Sequence, residues 1–128
     1  MTKKVVFITG GGRGIGKAIT KKFQNDKYYV AIGYKLDKSS AMEVCSNFSN
    51  SFIVQVDISN RTSIKRAIKK ITDYFNQPIS VLINNAAIAQ EKPFLKISDR
   101  DWENMLVLNL QGPFRLIQEI LPPMIKKK

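Results

Sequence analysis

The chain has 128 residues, 44% of them hydrophobic and 24% charged, which is ordinary for one globular domain. Its single cysteine and its lack of histidine exclude an internal disulfide and a zinc-type ligand set, so we expect a reducing, cytoplasmic environment and no metal. The formal charge of +11 raises the question of nucleic acid or an anionic membrane as a partner, but no segment approaches the roughly 18 apolar residues of a membrane span.

The first predicted unit is a strand, a glycine-rich turn and a helix. Residues 5–8 read Val-Val-Phe-Ile, and residues 9–16, here named the glycine turn, read Thr-Gly-Gly-Gly-Arg-Gly-Ile-Gly. Helical spacing then extends to about residue 25 through four apolar side chains, Ile15, Ala18, Ile19 and Phe23. A turn that leads from a buried strand into a helix N-terminus is typical of a phosphate-binding site.

Three further strands alternate with helices. Apolar runs predict strands over 29–34, 52–56 and 81–83. After the second strand, a helix capped by Ser39 or Ser40 has the apolar stripe Ala41, Val44, Cys45 and Phe48. After the third strand, a helix capped by Ser59 or Asn60 has the stripe Ile64, Ala67, Ile68, Ile71 and Phe75.

The longest predicted helix, over about 99–121, begins at a capping box of Ser98 and Asp101. Its expected buried face is a stripe of seven apolar residues, Trp102, Met105, Leu106, Leu110, Phe114, Ile117 and Leu121. Asn109 falls inside that stripe, either as a core amide bonded to backbone or for a functional reason. Because Pro113 has no N–H, the Asn109 carbonyl four residues earlier needs another donor, of which ordered water is the usual one.

Continuous apolar strands that alternate with helices indicate a parallel sheet covered on both faces. Right-handed crossovers then predict an α/β, doubly wound fold of Rossmann type, with about four strands and four helices and the strand order 3-2-1-4. In that order the fourth strand lies at an open edge, which predicts association or pairing with further strands.

Two nucleotide-binding motifs compete at the glycine turn. Gly11, Gly16 and Lys17 match the Gly-x-x-x-x-Gly-Lys of a P-loop, but Ala18 stands where that motif needs a hydroxyl for Mg²⁺. The ordinary dinucleotide fingerprint, Gly-x-Gly-x-x-Gly, also fails at its third glycine. What fits residues 9–16 is Thr-Gly-x-x-x-Gly-x-Gly.

That pattern resembles the short-chain dehydrogenase/reductase family, most closely its 3-oxoacyl-acyl-carrier-protein reductases, and the resemblance covers essentially the whole chain. In that family Gly10 would form the turn, Gly14 would let the backbone approach the cofactor pyrophosphate, and Gly16 would pack the helix against the strand. The resemblance implies cofactor contacts along the turn, at Thr9, Gly10, Gly12, Arg13, Gly14, Ile15 and Gly16.

Two later strand ends carry further matches. Asp57 resembles the aspartate that contacts the adenine amino group, with Ile58 flanking the ring, although an aspartate at a strand end is as often a helix cap. The segment after the fourth strand resembles the family's Asn-Asn-Ala-Gly, which stabilises the sheet and lines the ribose and nicotinamide channel; here it is Asn84, Asn85, Ala86 and Ala87. Alanine in place of the glycine would be mildly strained at a positive φ.

Cofactor choice is set after the second strand, where an acidic side chain would accept hydrogen bonds from the ribose of NAD(H) and repel a 2'-phosphate. This chain has Tyr34 and Lys35 there, with Asp37 two residues beyond. Arg13 and Lys35 would pair well with a 2'-phosphate, so we predict NADP(H), with NAD(H) as the alternative.

Asn109 matches the asparagine of the family's Asn-Ser-Tyr-Lys tetrad, whose carbonyl holds a water in a proton relay. The serine and the Tyr-x-x-x-Lys pair, which orient the substrate and transfer its proton, have no match in these residues. The one Tyr-x-x-x-Lys, from Tyr34 to Lys38, directly follows the second strand and is interpreted as a coincidence. We therefore expect residues 1–128 to be the N-terminal, cofactor-binding part of the Rossmann domain, truncated before the serine and the tyrosine.

The resemblance implies an NADP(H)-dependent carbonyl reductase or alcohol dehydrogenase, inactive by itself, whose small substrates include acyl-carrier-linked carbonyls. The alternative is a non-catalytic protein that binds a dinucleotide or pairs with reductase subunits. The family also implies a homo-oligomer formed through the long helix at 99–121. A nucleic-acid partner is disfavoured because no strip of aromatic and basic residues accompanies the lysines, and we expect no membrane partner.

Overall fold

The computed structural model describes residues 3–89 and 91–127. Its single sheet has four parallel strands, β1 (Val5–Ile8), β2 (Tyr29–Tyr34), β3 (Ser51–Gln55) and β4 (Ile79–Ile83). They lie in the order β3-β2-β1-β4, which confirms the predicted sheet. In this part of the chain β4 pairs with β1 alone, so one side of β4 is an edge, as predicted.

Helices cover both faces of the sheet, as a doubly wound fold requires. They are α1 (Gly14–Asn25), α2 (Lys38–Cys45), α3 (Arg61–Phe75), α4 (Asp99–Leu106) and α5 (Gly112–Lys126). A π-helical turn (Val107–Gln111) joins α4 to α5, so the predicted fourth helix is one continuous helical segment. Every helix of the described residues is too short or too polar to cross a lipid bilayer.

The central strand β1 separates two cores. Val5 and Phe7 pack with α3 and α5, whereas Val6 and Ile8 pack with residues of β2 and α2 on the other side. All four side chains are fully buried, and each such burial contributes roughly 1.5–3 kcal/mol. Because β1 is also hydrogen-bonded on both sides, the glycine turn that follows leaves the sheet from a fully buried inner strand.

Two of the three predicted helix starts are confirmed and one is wrong. Asn60 caps α3, and Ser98 with Asp101 forms the capping box of α4. Asp37 caps α2 in place of the predicted serines at 39 and 40, because its carboxylate accepts a hydrogen bond from the Ser40 N–H at 3.0 Å. The helix also ends at residue 45, before the phenylalanine at 48 that the stripe had included.

The predicted buried face of the last helix is wrong. Six of the seven apolar side chains of that stripe are 36–65% exposed, and only Met105 is half-buried. The face that packs on the sheet and α3 is the neighbouring one, which carries Gly112, Leu116 and Ile120. Both stripes have helical spacing, so only the contacts with the sheet choose between them.

The end of the last helix also differs from the prediction. Helix α5 continues through Pro122 and Pro123 to Lys126, five residues beyond the predicted end at 121. Met124, which follows the two prolines within the helix, is half-buried and packs against the core.

Candidate functional site

A cleft of about 580 Å³ lies at the carboxyl ends of the strands, where the glycine turn, the β2–α2 connection and the segment after β4 meet. Clefts at this edge of a doubly wound sheet are where such folds bind ligands. The cleft brings together many of the predicted site residues, namely Thr9, Gly10, Gly12, Arg13, Tyr34, Lys35, Ile58, Asn85 and Ala86.

Gly10, Gly14 and Gly16 meet three different backbone conditions in the glycine turn. Gly10 and Gly14 have φ angles of +65° and +53°, which L side chains rarely adopt. A Cβ at Gly14 would meet nothing within 4 Å, so its backbone is open to a ligand. A Cβ at Gly16 would overlap the Gly10 carbonyl, which shows how closely α1 packs against the turn.

Asn85 ties the glycine turn to the end of β4. Its side-chain amide donates to the carbonyls of Thr9 and Gly10, at 3.1 and 3.0 Å. The hydroxyl of Thr9 in turn accepts from the backbone N–H groups of Asn85 and Ala86, at 3.1 and 3.0 Å. These hydrogen bonds fix the glycine turn and the segment after β4, which form two walls of the cleft, relative to each other. Ala87 has no positive φ, so the strain expected from the missing glycine does not occur.

Asn109 lies in the π-helical turn and fastens the far side of the cleft. Its side-chain oxygen accepts from the Ile88 N–H at 2.9 Å and its amide donates to the Ile88 carbonyl at 2.8 Å. The residue is exposed rather than buried in a core stripe. The π-helical turn ends two residues before Pro113, in the stretch where the proline was expected to disturb the helical hydrogen bonds.

Asp57 lies beside the cleft in a tight turn after β3. Its Oδ1 atom accepts from the Ser59 hydroxyl at 2.6 Å and from the Ser59 N–H at 3.0 Å. The hydroxyl bond above all holds the pKa of this carboxyl below its usual value. Arg115 of α5 donates to the Ser59 carbonyl at 2.7 Å, and Gly112 lies against Ile58. The last helix therefore supports the turn that presents these residues.

Two ion pairs lie at the β2 end of the cleft. Arg13 Nε is 3.5 Å from Asp37 Oδ2, and Lys35 Nζ is 3.9 Å from Asp57 Oδ1. The two cations that were predicted to meet a 2'-phosphate therefore each contact a carboxylate of the same chain. Both pairs are substantially exposed to solvent, which makes them weak and exchangeable.

Some predicted site residues do not line the cleft, and some lining residues were missed. Those outside the lining are Gly14, Ile15, Gly16, Asp57, Asn84 and Asn109. Ile15 is 76% exposed in the first turn of α1, and Asn84 is exposed after β4. The missed lining residues are Gly33, Leu36, Asp37, Ser40, Val56, Ile88 and Leu108, whereas Ala87 lines the cleft within the segment already singled out after β4. The spacing of Asp37 and Ser40, typical of a helix cap, was the one local signal for that pair.

The residues that the structure describes contain no group of three histidine, cysteine, aspartate or glutamate side chains that could hold a metal ion. The functional groups that line the cleft are backbone N–H and C=O groups, the cations of Arg13 and Lys35, the Asp37 carboxylate, the Asn85 amide, hydroxyls and apolar walls. This donor set suits an anionic, partly aromatic ligand.

Known proteins of similar sequence and fold come from one family. The chain is 30% identical over 129 residues to the 3-oxoacyl-acyl-carrier-protein reductase FabG of Staphylococcus epidermidis, with 98% of this chain and 52% of that protein covered. It is also 30% identical to the corresponding reductase of Synechocystis, over 100% of this chain and 53% of that protein. The chain thus spans about half the length of the curated relatives it matches.

Solved structures give the same result. A blue fluorescent protein from a metagenomic library, in complex with NADPH, superposes with a TM-score of 0.86 at 28% identity, covering 94% of this chain and 51% of that one. A double mutant of a Serratia marcescens short-chain dehydrogenase/reductase gives 0.87 at 26% identity, covering 96% and 52%. The sequence model described as short chain dehydrogenase matches residues 4–128. On the glycine turn, the sheet order and this match, the chain belongs to the short-chain dehydrogenase family.

Proposed function

We propose that this chain binds NADP(H) and forms the cofactor-binding part of a carbonyl reductase or alcohol dehydrogenase. The observation that carries the proposal is the cleft itself, in which the glycine turn, the Asn85 bonds and the two cations at the β2 end converge. The named relatives reduce 3-oxoacyl groups on an acyl carrier, so the proposed substrates are small carbonyl compounds, acyl-carrier-linked ones included.

The described residues fit a dinucleotide. The turn leads into α1, a twelve-residue helix without an acidic side chain in its first turn, and the Gly14 backbone is open there. These features favour a pyrophosphate at the helix N-terminus. Val56 and Ile58, both buried and lining the cleft, supply an apolar wall for an adenine ring beside Asp57.

Two features support NADP(H) over the alternative, NAD(H). No carboxylate stands at Tyr34 or Lys35, where it would bond the ribose hydroxyls. Arg13 and Lys35 both line this end of the cleft and supply cations for a 2'-phosphate. A solved relative of the fold also holds NADPH.

When bound, the cofactor supplies hydride transfer to or from a carbonyl carbon. In this chain, Asn109 holds the segment after β4 through Ile88, and its backbone carbonyl is proposed to hold a water for proton transfer. The 128 residues contain no serine and Tyr-x-x-x-Lys set that matches the family's tetrad. We therefore expect the 128-residue chain to bind cofactor without turning over substrate.

The alternative is a non-catalytic protein that binds a dinucleotide or pairs with reductase subunits, and such pairing is supported by apolar side chains exposed along α4, the π-helical turn and α5. Trp102, Leu110 and Phe114 are 58%, 65% and 56% exposed. We propose that this face forms a homo-oligomer interface, and that the protein works in the cytoplasm.

The test is cofactor binding measured by fluorescence and calorimetry. The unaltered chain should bind NADPH about tenfold more tightly than NADH, as one charge-assisted phosphate contact allows. Tyr34→Asp should move the preference towards NADH, because a carboxylate would repel the 2'-phosphate, whereas Tyr34→Phe should leave it unchanged. Tighter binding of NADH by the unaltered chain would contradict the proposed cofactor preference, and NADPH oxidation with an acetoacetyl thioester would contradict the expectation that this chain does not turn over substrate by itself.

A further inference from the structure

A second groove lies along the outer edge of the sheet, and none of its lining residues belongs to the cleft. Strand β3 is the last strand on that side, with α2 packed on one of its faces and α3 on the other. The groove has a volume of about 350 Å³, and its apolar lining is Met42, Cys45, Phe52, Ile53 and Tyr74. Met42 and Tyr74 are 53% and 56% exposed, so apolar side chains there are open to a partner.

The backbone of β3 presents hydrogen-bonding groups beside the groove. At the start of the strand, the Val30 N–H of β2 donates to the Asn50 carbonyl at 2.9 Å. At its end, the Val56 N–H donates to the Tyr34 carbonyl of β2 at 2.8 Å. In a parallel pair every second residue bonds to the same neighbour, so the even-numbered residues of 50–56 face β2. The N–H and C=O groups at positions 53 and 55 therefore face outward, as an open edge of the part of the chain that the structure describes.

Cations flank the far end of this edge on both sides. The Tyr74 ring stacks on Phe52 near the start of β3, and Lys70 lies one turn earlier on the same face of α3. Lys38 stands in the same relation to Met42 on α2. Because both helices run antiparallel to the strands that they connect, one turn earlier is nearer the end of β3. Both lysines are exposed, and neither belongs to an ion pair among the described residues.

The carboxylates of the two helices are placed elsewhere. Glu43 and Asp73 are the acidic residues of α2 and α3, and neither lines the groove. Asp73 is paired with Lys69 at 2.9 Å. The edge is therefore electropositive, in keeping with the formal charge of +11 on the chain. A second copy paired edge to edge would bring the same lysines together, so charge complementarity favours an acidic partner.

We propose that this edge binds an extended segment of an acidic partner protein, which adds a strand to the sheet beside β3. The segment exchanges main-chain hydrogen bonds with positions 53 and 55, places an apolar side chain in the groove and pairs its carboxylates with Lys38 and Lys70. In such strand addition the backbone supplies affinity and the side-chain contacts supply specificity. This surface lies outside the cleft, so its binding is independent of the proposed function.

The probe is a synthetic peptide in which three valines are flanked at each end by two glutamates, with blocked termini. One comparison peptide has lysine in place of glutamate, and another has N-methyl groups on the valine amides, which removes their N–H donors. Fluorescence anisotropy measures the binding of labelled peptides to the full 128-residue chain at low salt. We expect the acidic peptide to bind about tenfold more tightly than either comparison peptide, because only it carries both the charges and the donors.

Gln55→Pro tests the backbone edge. The N–H at position 55 faces outward, so proline removes that donor while the bonds between β2 and β3 remain. Gln55→Ala is the matched control, because it loses the same side-chain bond to the Lys35 carbonyl and keeps the N–H. We expect Gln55→Pro to weaken binding of the acidic peptide about tenfold and Gln55→Ala to change it by less than about twofold.

Lys70→Gln tests the charge, and it does so even if proline at position 55 unfolds the chain. This variant should weaken binding of the acidic peptide about threefold, as expected for one exposed charge contact. Lys65→Gln is its control, because Lys65 is also an exposed cation of α3 but lies on another face of the helix. It should leave the affinity unchanged.

Each other outcome overturns part or all of this assignment. If neither charged peptide binds, the lysines serve only to keep the edge of β3 from pairing, and there is no docking site. If the lysine peptide binds as tightly as the acidic one, the partner is not acidic. If the N-methylated peptide binds as tightly as its parent, no strand is added. If the chain self-associates and Gln55→Pro abolishes this, the occupant is a second copy.

Discussion

The glycine turn and the outer face of the last helix both stand out as short sequence patterns, but the turn is closely packed whereas the helix face is exposed to solvent. In the turn, Gly16 touches the Gly10 carbonyl, and Asn85 bonds two of its carbonyls. On the outer helix face, seven apolar side chains are exposed in the part of the chain that the structure describes; they are Trp102, Leu106, Leu110, Phe114, Ile117, Leu121 and Ile125.

This difference in packing predicts where a substitution will lower the stability of the chain. The turn is held by backbone atoms that cannot move without moving β1 or α1, so added volume there is costly. The outer helix face loses little inside the monomer when a side chain is shortened, because most of its surface is already in water. Shortening a side chain on this face would instead weaken an association with another protein surface.

Gly16→Ala should have the largest effect. The new Cβ would overlap the carbonyl oxygen of Gly10, so we expect a loss of about 4 kcal/mol in the free energy of unfolding, above the usual range for overpacking because backbone is struck. Urea denaturation measures it. Gly14→Ala is the control: nothing lies near its Cβ, and only its positive φ should cost about 1 kcal/mol. Equal losses in the two variants would refute the close packing of α1 on the turn.

Leu116→Ala and Leu110→Ala compare the two faces of one helix with the same chemical change. Leu116 is fully buried against the sheet, so its truncation should cost about 3 kcal/mol, in the range for core leucines. Leu110 is 65% exposed, so its truncation should cost less than about 1 kcal/mol of monomer stability. Sedimentation of the Leu110 variant should show weaker self-association than the unaltered chain. A larger stability loss at 110 than at 116 would mean that the buried face is misassigned.

The smallest expected effect is acid sensitivity at the start of the last helix. Lys92 contacts Asp101 at 2.8 Å and, with the Ser98 N–H, lowers the pKa of that carboxyl to about 2 from its usual 3.8. A pKa lowered by folding stabilises the folded chain above the ordinary value and loses that contribution as the pH falls towards about 2.

The measurement is the melting temperature of the unaltered chain and of Asp101→Asn, followed from neutral pH down to about pH 2. The difference between the two should be present at neutral pH and should shrink below about pH 4, where the unfolded aspartate takes up its proton. A difference that stays constant over this range would show that the Lys92 contact does not depend on the charge of Asp101.

The helix caps at Asn60 and Ser98 were predicted correctly because a cap contacts only residues that are near it in the sequence. The capping box of Ser98 and Asp101 and the Asn60 cap lie within three residues of the amides they serve, so no distant contact could overrule them. The predicted start of α2 was wrong for a local reason as well, because Asp37, Ser39 and Ser40 can each cap a helix and Asp37 is the residue that does so.

Contacts between residues far apart in the sequence could not be predicted from local patterns. The helix after residue 99 has two apolar stripes of equal spacing, and the packing of Leu116 and Ile120 on the sheet decided which one is buried. The pairing of Arg13 with Asp37 joins residues 24 positions apart, and that of Lys35 with Asp57 joins two different strand ends. No local signal reports such partners.

By itself the sequence determined the order of strands and helices, the position of the glycine turn and the family, because these depend on periodicity and spacing within short segments. Only the tertiary structure decided which helix face is buried and which carboxylates hold the cations of the cleft. Both depend on how segments far apart in the chain are brought together, and the sheet, with β1 buried at its centre, is what sets those distances.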